Sequence, residues 1–216
     1  MALANTYAYI GSVGPASAAS GATPLARLGL SGEQVVQELH GRYYETCYRK
    51  NLFYATAQTF LLFGIPALAQ NGFILWNRTP GINVVLQKIN LQVSASSGTM
   101  TGIALCVGTA GSQTTAPSTS TAITGNAGGS IGGCFLGTNP TAIAYQAGTV
   151  IAIPTAIIPI LHNTAGIATS SADMFWVDLE GSVIIPPMTT MVLAALGANS
   201  AANAVSCSVL WEEVPV

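Results

Sequence analysis

The chain has 216 residues and a mass of 22.0 kDa, is 50% hydrophobic and only 6% charged, and is long enough for one domain with a full core or for one domain with an arm. Its six basic and eight acidic residues leave no basic field for nucleic acid, so no nucleic-acid partner is expected. The first residues carry no secretory signal, and the most apolar stretch, 149–161, contains Pro154 and Pro159 and is shorter than the roughly 20 residues of a membrane span, so we expect an intracellular product without a membrane segment.

Charge is distributed unevenly along the chain. From Ile89 to Ala172 there is no Asp, Glu, Lys or Arg, although this stretch is rich in Ile, Val, Leu and Ala. Disordered tracts are poor in such residues, so the stretch is expected to fold. A soluble domain normally covers its surface with charge, so the deficit predicts a chain that packs against copies of itself or against a partner. We therefore expect a structural assembly protein and not an enzyme.

The first 58 residues divide into two predicted segments. Residues 1–30 are mostly Ala, Gly and Ser with Pro15 and Pro24, and they are predicted to form a flexible N-terminal arm. Residues 31–58 hold six of the fourteen charges and four of the seven tyrosines. Glu33–Leu39 fits a short helix, but an extended conformation fits the segment equally well, and the sequence leaves both open.

The middle of this second segment is the predicted interaction site. Arg and Tyr are residue types that protein interfaces favour, and here they occur within nine residues of a chain that avoids charge elsewhere. The alternative is a solvated, partly paired face of the domain. The predicted interface residues are Arg42, Tyr43, Tyr44, Glu45, Tyr48, Arg49 and Lys50.

Residues 59–216 read as β structure. Short apolar or alternating runs are separated by Gly, Pro, Asn and Ser clusters, with Asn71–Gly72 and Pro80–Gly81 as predicted turns. We predict a mainly β protein, an antiparallel β-sandwich of jelly-roll type with an extended N-terminal arm. The predicted strands are 73–76, 85–93, 100–107, 175–180, 183–185, 191–196 and 206–214.

A low-complexity loop is predicted at 108–133. It consists of small and polar residues without charge or aromatic side chains. Loops of this length are usually functional or mobile, so we expect it to contact a neighbouring subunit.

Catalytic and metal-binding patterns are weak. Residues 128–132 match the Gly-x-Ser-x-Gly elbow of serine hydrolases around Ser130, but the flanks are a glycine-rich loop and His162 precedes the downstream acids. Asp178 and Glu180 lie two apart on a predicted strand, which is more typical of an ordinary outer face than of an acid/base pair. No catalytic residue, metal ligand, cofactor or small-molecule substrate is predicted.

The four cysteines show no metal-binding or redox spacing, and we expect buried free thiols. This expectation agrees with synthesis in a reducing cytosol. The residues concerned are Cys47, Cys106, Cys134 and Cys207.

Three passages together resemble a family of structural proteins of tailed bacteriophages, including cyanophages. They are Glu38–Glu45 with Tyr48–Phe53, Asn83–Ile89, and Leu210–Val216. The resemblance covers most of the chain from residue 38 and implies a virion protein. It further implies a capsid cement, or decoration, protein that is made in the host bacterial cytoplasm, sits on the capsid surface as a homotrimer and binds the major capsid protein. It implies no catalytic residues.

Three other functions remain open at this point. A trimeric tail-fibre or receptor-binding module would also be rich in β structure and poor in charge, but it should expose an aromatic sugar site. Another head structural protein is the second, and a β-sandwich hydrolase acting through Ser130 is the third.

Overall fold

The computed structural model describes residues 42–62, 69–96, 102–118, 120, 122–123, 129–162, 174–196 and 203–216. The predicted arm at 1–30 and the candidate helix Glu33–Leu39 lie outside these residues. The chain divides into two compact units, Met1–Arg42 and Tyr43–Val216, and the second contains all the elements that follow. No helix in the described ranges is long and apolar enough to cross a membrane.

The described residues contain one short helix and ten strands. In chain order they are α1 (Tyr44–Tyr48), β1 (Leu52–Leu62), β2 (Ala69–Asn77), β3 (Ile82–Ser96), β4 (Gly102–Val107), β5 (Gly129–Gly133), β6 (Ile143–Thr149), β7 (Ala156–His162), β8 (Met174–Ile185), β9 (Thr189–Ala195) and β10 (Asn203–Pro215).

The strands form two antiparallel five-stranded sheets, which confirms the predicted β-sandwich. The first sheet has the order β5-β1-β10-β3-β8 and the second has the order β6-β2-β9-β4-β7. Without β5 and β6, which pair at one edge of each sheet, eight strands remain, four in each sheet, and consecutive strands alternate between the sheets except at the step from β4 to β7. This connectivity is that of a jelly roll, as predicted from the sequence.

Alternating side chains explain why these segments become strands that face a core. In β10 the residues Val205, Cys207, Val209 and Trp211 are buried, and the residues between them are not. Strand β3 buries Val84 and Leu86 and then Ile89 and Leu91, and a register shift between Leu86 and Lys88 absorbs the change of phase.

Two sequence expectations are corrected here. The β region begins at Leu52 and not at residue 59, because Phe53, Ala55 and Ala57 bury one side of β1 in the main core. Asn71–Gly72 is no hairpin turn; it lies inside β2, where the pairing with β6 shifts between Asn71 and Ile74. Glycine inside a strand commonly marks such a bulge, and Gly72 has a φ of 153°. The predicted Pro80–Gly81 turn is confirmed.

The central strands of the second sheet, β4, β9 and the 72–77 part of β2, are buried on both faces, whereas the edge strand β7 exposes Ile157. Leu75, Leu105 and Leu193 point into the main core between the sheets, whereas their neighbours on the same strands form a separate buried cluster on the outer face. That outer cluster consists of Ile74, Trp76, Ala104, Cys106, Tyr145, Val150, Val192 and Ala194. All six residues of β4 are buried, as the doubly apolar sequence of this strand predicts.

Residues 108–118, 120 and 122–123, from the first part of the predicted low-complexity loop, cover this outer cluster. The indole Nε1 of Trp76 donates a hydrogen bond to the carbonyl oxygen of Gln113 at 3.0 Å. The buried Gln113 side chain in turn accepts a hydrogen bond from the Ile151 amide at 2.8 Å and donates to the carbonyl oxygen of Thr115 at 2.7 Å. These contacts are with the chain's own sheet, and 129–133 of the predicted loop form β5, which pairs with β1.

The cover continues along the edge of β6. Ser118 and Tyr145 are each part of an isolated antiparallel bridge, Ser118 with Thr149 and Tyr145 with Ala122. A Cβ atom added at Gly148 would lie 2.9 Å from the Cβ of Ser120 and 3.0 Å from that of Pro117, so glycine is needed for this close approach.

Two buried polar side chains fasten the connections. The Glu213 carboxylate, 6% exposed, accepts hydrogen bonds from the amides of Thr141 and Ala142, from the Thr141 hydroxyl at 2.7 Å and from the Trp211 indole. The Asn77 side-chain nitrogen, fully buried, donates to the carbonyl oxygens of Ile82, Ile185 and Pro186, which joins the β2–β3 turn to the β8–β9 turn. Asn77-Arg78-Thr79 matches the glycosylation sequon Asn-x-Ser/Thr, but the Asn77 side chain is inaccessible in the folded chain.

Replacing Glu213 tests the first of these fastenings. We expect Glu213→Ala to lower the free energy of unfolding by about 3 kcal/mol, because it leaves buried amide and hydroxyl donors without an acceptor. The matched control is the neighbouring Glu212→Ala, whose carboxylate is half-buried and accepts one long hydrogen bond from Gln87 at 3.5 Å. Urea unfolding measures both; equal losses for the two variants would contradict the structural role of Glu213.

Candidate functional site

Helix α1 ends in a turn that directs the chain into β1. The Asn51 amide donates to the carbonyl oxygen of Thr46 at 3.1 Å, and the Lys50 amide donates to that of Cys47 at 2.9 Å. This is the hydrogen-bond pattern of a Schellman motif, which requires a left-handed residue at its penultimate position. Lys50 occupies that position with a φ of 64°, where glycine is normally found.

The helix presents two tyrosines to solvent. Tyr44 and Tyr48 lie one helical turn apart and their rings stack, with centroids 6.0 Å apart and an interplanar angle of 8°. They are 45% and 63% exposed. Large exposed aromatic rings are typical of interface anchors.

The turn after β5 adds two apolar side chains beside the helix. The Phe135 carbonyl oxygen accepts hydrogen bonds from both the amide and the hydroxyl of Thr138, and Gly137 has a φ of 84°, as a type II turn requires. This turn leaves Leu136 93% exposed and Phe135 38% exposed. The Lys50 ammonium lies over the Phe135 ring, 5.2 Å from its centroid.

Together these side chains form what we call the α1 patch, defined as Tyr44, Tyr48, Lys50, Phe135 and Leu136. The half-buried Cys47 and Cys134 join its two halves. Burial raises the pKa of the Cys134 thiol, and the nearby Cys47 raises it further. The patch combines aromatic rings, an aliphatic side chain and one cation, a chemistry suited to a protein partner and unsuited to catalysis.

The other predicted interface residues differ in exposure. Arg42 and Arg49 are exposed, Tyr43 is half-buried, and the side chain of Glu45 lies outside the described residues. Burial raises the pKa of the half-buried Glu212, whereas the positive charge of Arg49 lowers it, so Arg49 faces the C-terminal strand.

Sequence reasoning missed Phe135 and Leu136. They follow the predicted loop directly and come from a different part of the chain, so only the pairing of β5 with β1 brings them to the helix. The available signal was an apolar pair set between Gly133 and Gly137, in a place where a turn normally carries polar residues.

A second exposed apolar surface lies at the opposite sheet. Ile151, Ile153 and Ile157 are 54%, 47% and 47% exposed. Ile157 lies on β7, and Ile151 and Ile153 lie in the segment that runs from β6, at one edge of the second sheet, to β7, at the other edge. We call these three residues the isoleucine patch. It lies within the charge-free part of the sequence, so no charged side chain of that stretch opposes burial of the patch.

The catalytic patterns are not assembled into sites. Ser130 lies on β5, an edge strand that pairs with β1 and is followed by the turn at Phe135–Thr138, whereas a hydrolase elbow requires a following helix. Asp178 and Glu180 are exposed on β8, with Glu180 in a left-handed conformation at a φ of 50°. Among the described residues, no group of three or more His, Cys, Asp and Glu could hold a metal ion.

The left-handed backbone conformation of Lys50 should cost the folded chain stability, which replacement of Lys50 can test. We expect Lys50→Gly to raise the free energy of unfolding by roughly 0.5–1 kcal/mol, because glycine relieves the left-handed strain and only the weak cation–π contact is lost. Lys50→Ala is the matched control; it keeps the strain, loses the cation and should be slightly less stable than the parent. Urea unfolding that ranks the two variants alike would contradict this account of the turn.

Comparison of the chain with protein-family models, with curated proteins and with solved structures finds no match.

Proposed function

We propose that this chain is a structural virion protein of a tailed phage, which binds the outside of the icosahedral capsid as a cement protein and stabilises the expanded shell. The observation that carries the proposal is the α1 patch. Leu136 at 93% exposed and Tyr48 at 63% exposed stand on a chain of which only 6% is charged. Covering an exposed patch of this chemistry with a partner removes apolar surface from water and so lowers the free energy of the complex.

Two further observations support this assignment. The jelly roll is an architecture that viral capsid and lectin domains use, although a fold alone does not fix a function. The passages 38–53, 83–89 and 210–216 resemble tailed-phage structural proteins, and the first of them contains α1 while the last runs beside Arg49 through Glu212.

The mechanism follows from differential binding. A protein that binds the expanded shell but not the precursor stabilises the expanded state by mass action. An oligomer that places one α1 patch on each of several capsid subunits would convert weak single contacts into strong attachment through avidity. The rigid origin of the patch, a helix and a turn fixed to β1 and β5, limits the entropy lost on binding.

The isoleucine patch is the surface that we assign to self-association. Three exposed isoleucines on β7 and on the segment that leads to it, without nearby charge in the sequence, suit a contact between identical chains. A homotrimer would match the local three-fold positions of an icosahedral shell. The division leaves the α1 patch free for the major capsid protein.

The first experiment measures binding to heads. Heads of the phage that lack this protein are mixed with the parent chain or with the double variant Tyr48→Ala/Leu136→Ser and are then sedimented. The parent should co-sediment, and the double variant should bind more weakly by a factor on the order of a thousand at each contact, because two exposed anchors are removed. Ile184→Ser is the control, since Ile184 is 49% exposed on β8 at the far edge of the first sheet.

Thiol labelling shows which surface is covered. At one fixed alkaline pH, iodoacetamide should label the half-buried Cys47 and Cys134 of the free protein, the latter slowed by its raised pKa, and head binding should protect both. The buried Cys106, whose pKa burial raises to about 11, and the buried Cys207 serve as unlabelled internal references. Failure of the parent to bind heads, or equal labelling in both states, would overturn the proposal; binding to tails alone would instead favour a tail-fibre or receptor-binding module.

The second experiment measures self-association. Light scattering of the purified parent at micromolar concentration should give about three times the chain mass of 22.0 kDa. Ile153→Ser/Ile157→Ser should shift the protein toward the monomer, because burial of two isoleucines is lost, whereas Tyr48→Ala/Leu136→Ser should leave the mass unchanged. A monomeric parent would refute the assignment of the isoleucine patch.

A further inference from the structure

The outer face of the first sheet carries a row of aligned polar side chains. Thr56 on β1 is paired with Ser208 on β10, Ser208 with Asn90 on β3, and Asn90 with Trp176 on β8. Paired residues of neighbouring strands lie side by side on one face. Because strands lie about 4.8 Å apart, the row from Thr56 to Trp176 spans roughly 14 Å.

A shallow groove of about 160 Å³ lies along this row. The hydroxyls of Thr56 and Ser208 are hydrogen-bonded to each other at 2.7 Å, so they form one side of its floor. The groove is lined by Thr56, Asn90, Gln92, Met174, Ser206, Cys207 and Ser208, none of which is charged.

Trp176 stands at the end of the row and is 62% exposed. The other two tryptophans, Trp76 and Trp211, are 8% and 0% exposed, so Trp176 is the one indole ring of the three that lies in solvent. The Lys88 ammonium lies 5.2 Å from the Trp176 ring centroid, and the Asn90 side-chain nitrogen lies 3.7 Å from the Met174 sulfur. These neighbours hold the ring beside the groove.

We propose that this face binds a neutral carbohydrate chain. Hydroxyl and amide side chains are donors and acceptors at once, so they match the hydroxyl groups of a sugar in either direction. An exposed indole offers a flat apolar surface to the C–H face of a pyranose ring. A concave site with convergent polar groups and an aromatic wall is the general form of a small-ligand site, and its length suits a short oligosaccharide.

The absence of charge in the groove lining selects the ligand class. Phosphate or carboxylate groups of an acidic polysaccharide would find only Lys88 beside the row, whereas Asp178, paired with Lys88 on the neighbouring strand, would repel them. A protein partner is the alternative occupant, but the lining is polar where an interface centre is normally apolar. The site is separate from the α1 patch and does not depend on attachment to a capsid.

The experiment uses the exposed tryptophan as its own reporter. Acrylamide should quench the fluorescence of Trp176 and leave that of Trp76 and Trp211 largely unaffected, because these are buried. Soluble α-glucan, β-glucan, mannan and galactan are then added separately to the full-length chain. At least one of them should protect Trp176 from quenching and should retard the chain in an affinity gel that contains the same polysaccharide.

Variants assign the effect to the row. Asn90→Ala/Gln92→Ala should weaken retardation about tenfold or more, Trp176→Ala should abolish it, and Trp176→Phe should retain part of it. Ile184→Ser is the control and should bind like the parent, because Ile184 is 49% exposed on β8 but pairs with Val85, five residues along β3 from Asn90. Circular dichroism and melting establish that every variant is folded.

The outcomes decide between occupants. Absence of protection and retardation with all four polysaccharides would overturn the proposal. Retardation that Trp176→Ala leaves unchanged would place sugar binding elsewhere and would also overturn it. Loss of head binding or of self-association in Trp176→Ala, without any polysaccharide binding by the parent, would identify the face as a protein interface. Head binding by the parent tests the cement role alone, and polysaccharide binding tests the carbohydrate site alone. Either proposal can therefore fail without the other.

Discussion

The second sheet is apolar on both faces, so other parts of the chain must cover its outer face. A sheet at the surface of a sandwich normally turns one polar face to water. Here Ile74, Cys106 and Val192 occupy that outer face and are fully buried. The cover is irregular chain, the described residues 108–118, 120 and 122–123, whose backbone groups still need hydrogen-bond partners. The contacts of Gln113 with Trp76, Thr115 and Ile151 supply some of these partners. A stretch that reads as low complexity is thus part of the fold.

The sequence predicted the architecture better than its details, for physical reasons. Alternation in 206–214 and the doubly apolar 102–107 report directly on which faces are buried, so the sandwich and its central strand could be read. The bulge at Asn71–Gly72 could not, because the same dipeptide also favours a hairpin turn, and only the pairing with β6 decides between them. The cover at 108–118, 120 and 122–123 was hidden because its contacts are made by backbone groups and a few scattered side chains, such as those of Ser112, Gln113 and Ile123, which leave no periodic pattern.

The candidate site, like the fold, could be predicted from the sequence only in part. Composition located Tyr44, Tyr48 and Lys50, since Arg and Tyr cluster there in a chain otherwise poor in charge. Phe135 and Leu136 join them through the pairing of Phe53 with Gly133, a contact between distant parts of the sequence that no local signal records. The row that ends at Trp176 is also non-local, because it crosses four strands, and it becomes visible only when their register is known.

The edge strands of the two sheets determine whether further copies of the chain can add strand by strand. Most proteins protect edge strands with charged side chains, but of the four edge strands here only β8 carries Asp or Glu, at positions 178 and 180, and none carries Lys or Arg. The backbone also limits pairing at each edge: β5 is only five residues long, β8 is interrupted where Glu180 and Gly181 adopt positive φ, β6 is bridged by Ser118 and Ala122, and β7 contains Pro159, which has no amide hydrogen. Strand-by-strand addition of further copies therefore has no regular ladder to extend. Growth into a filament by strand addition is thus opposed at the main chain.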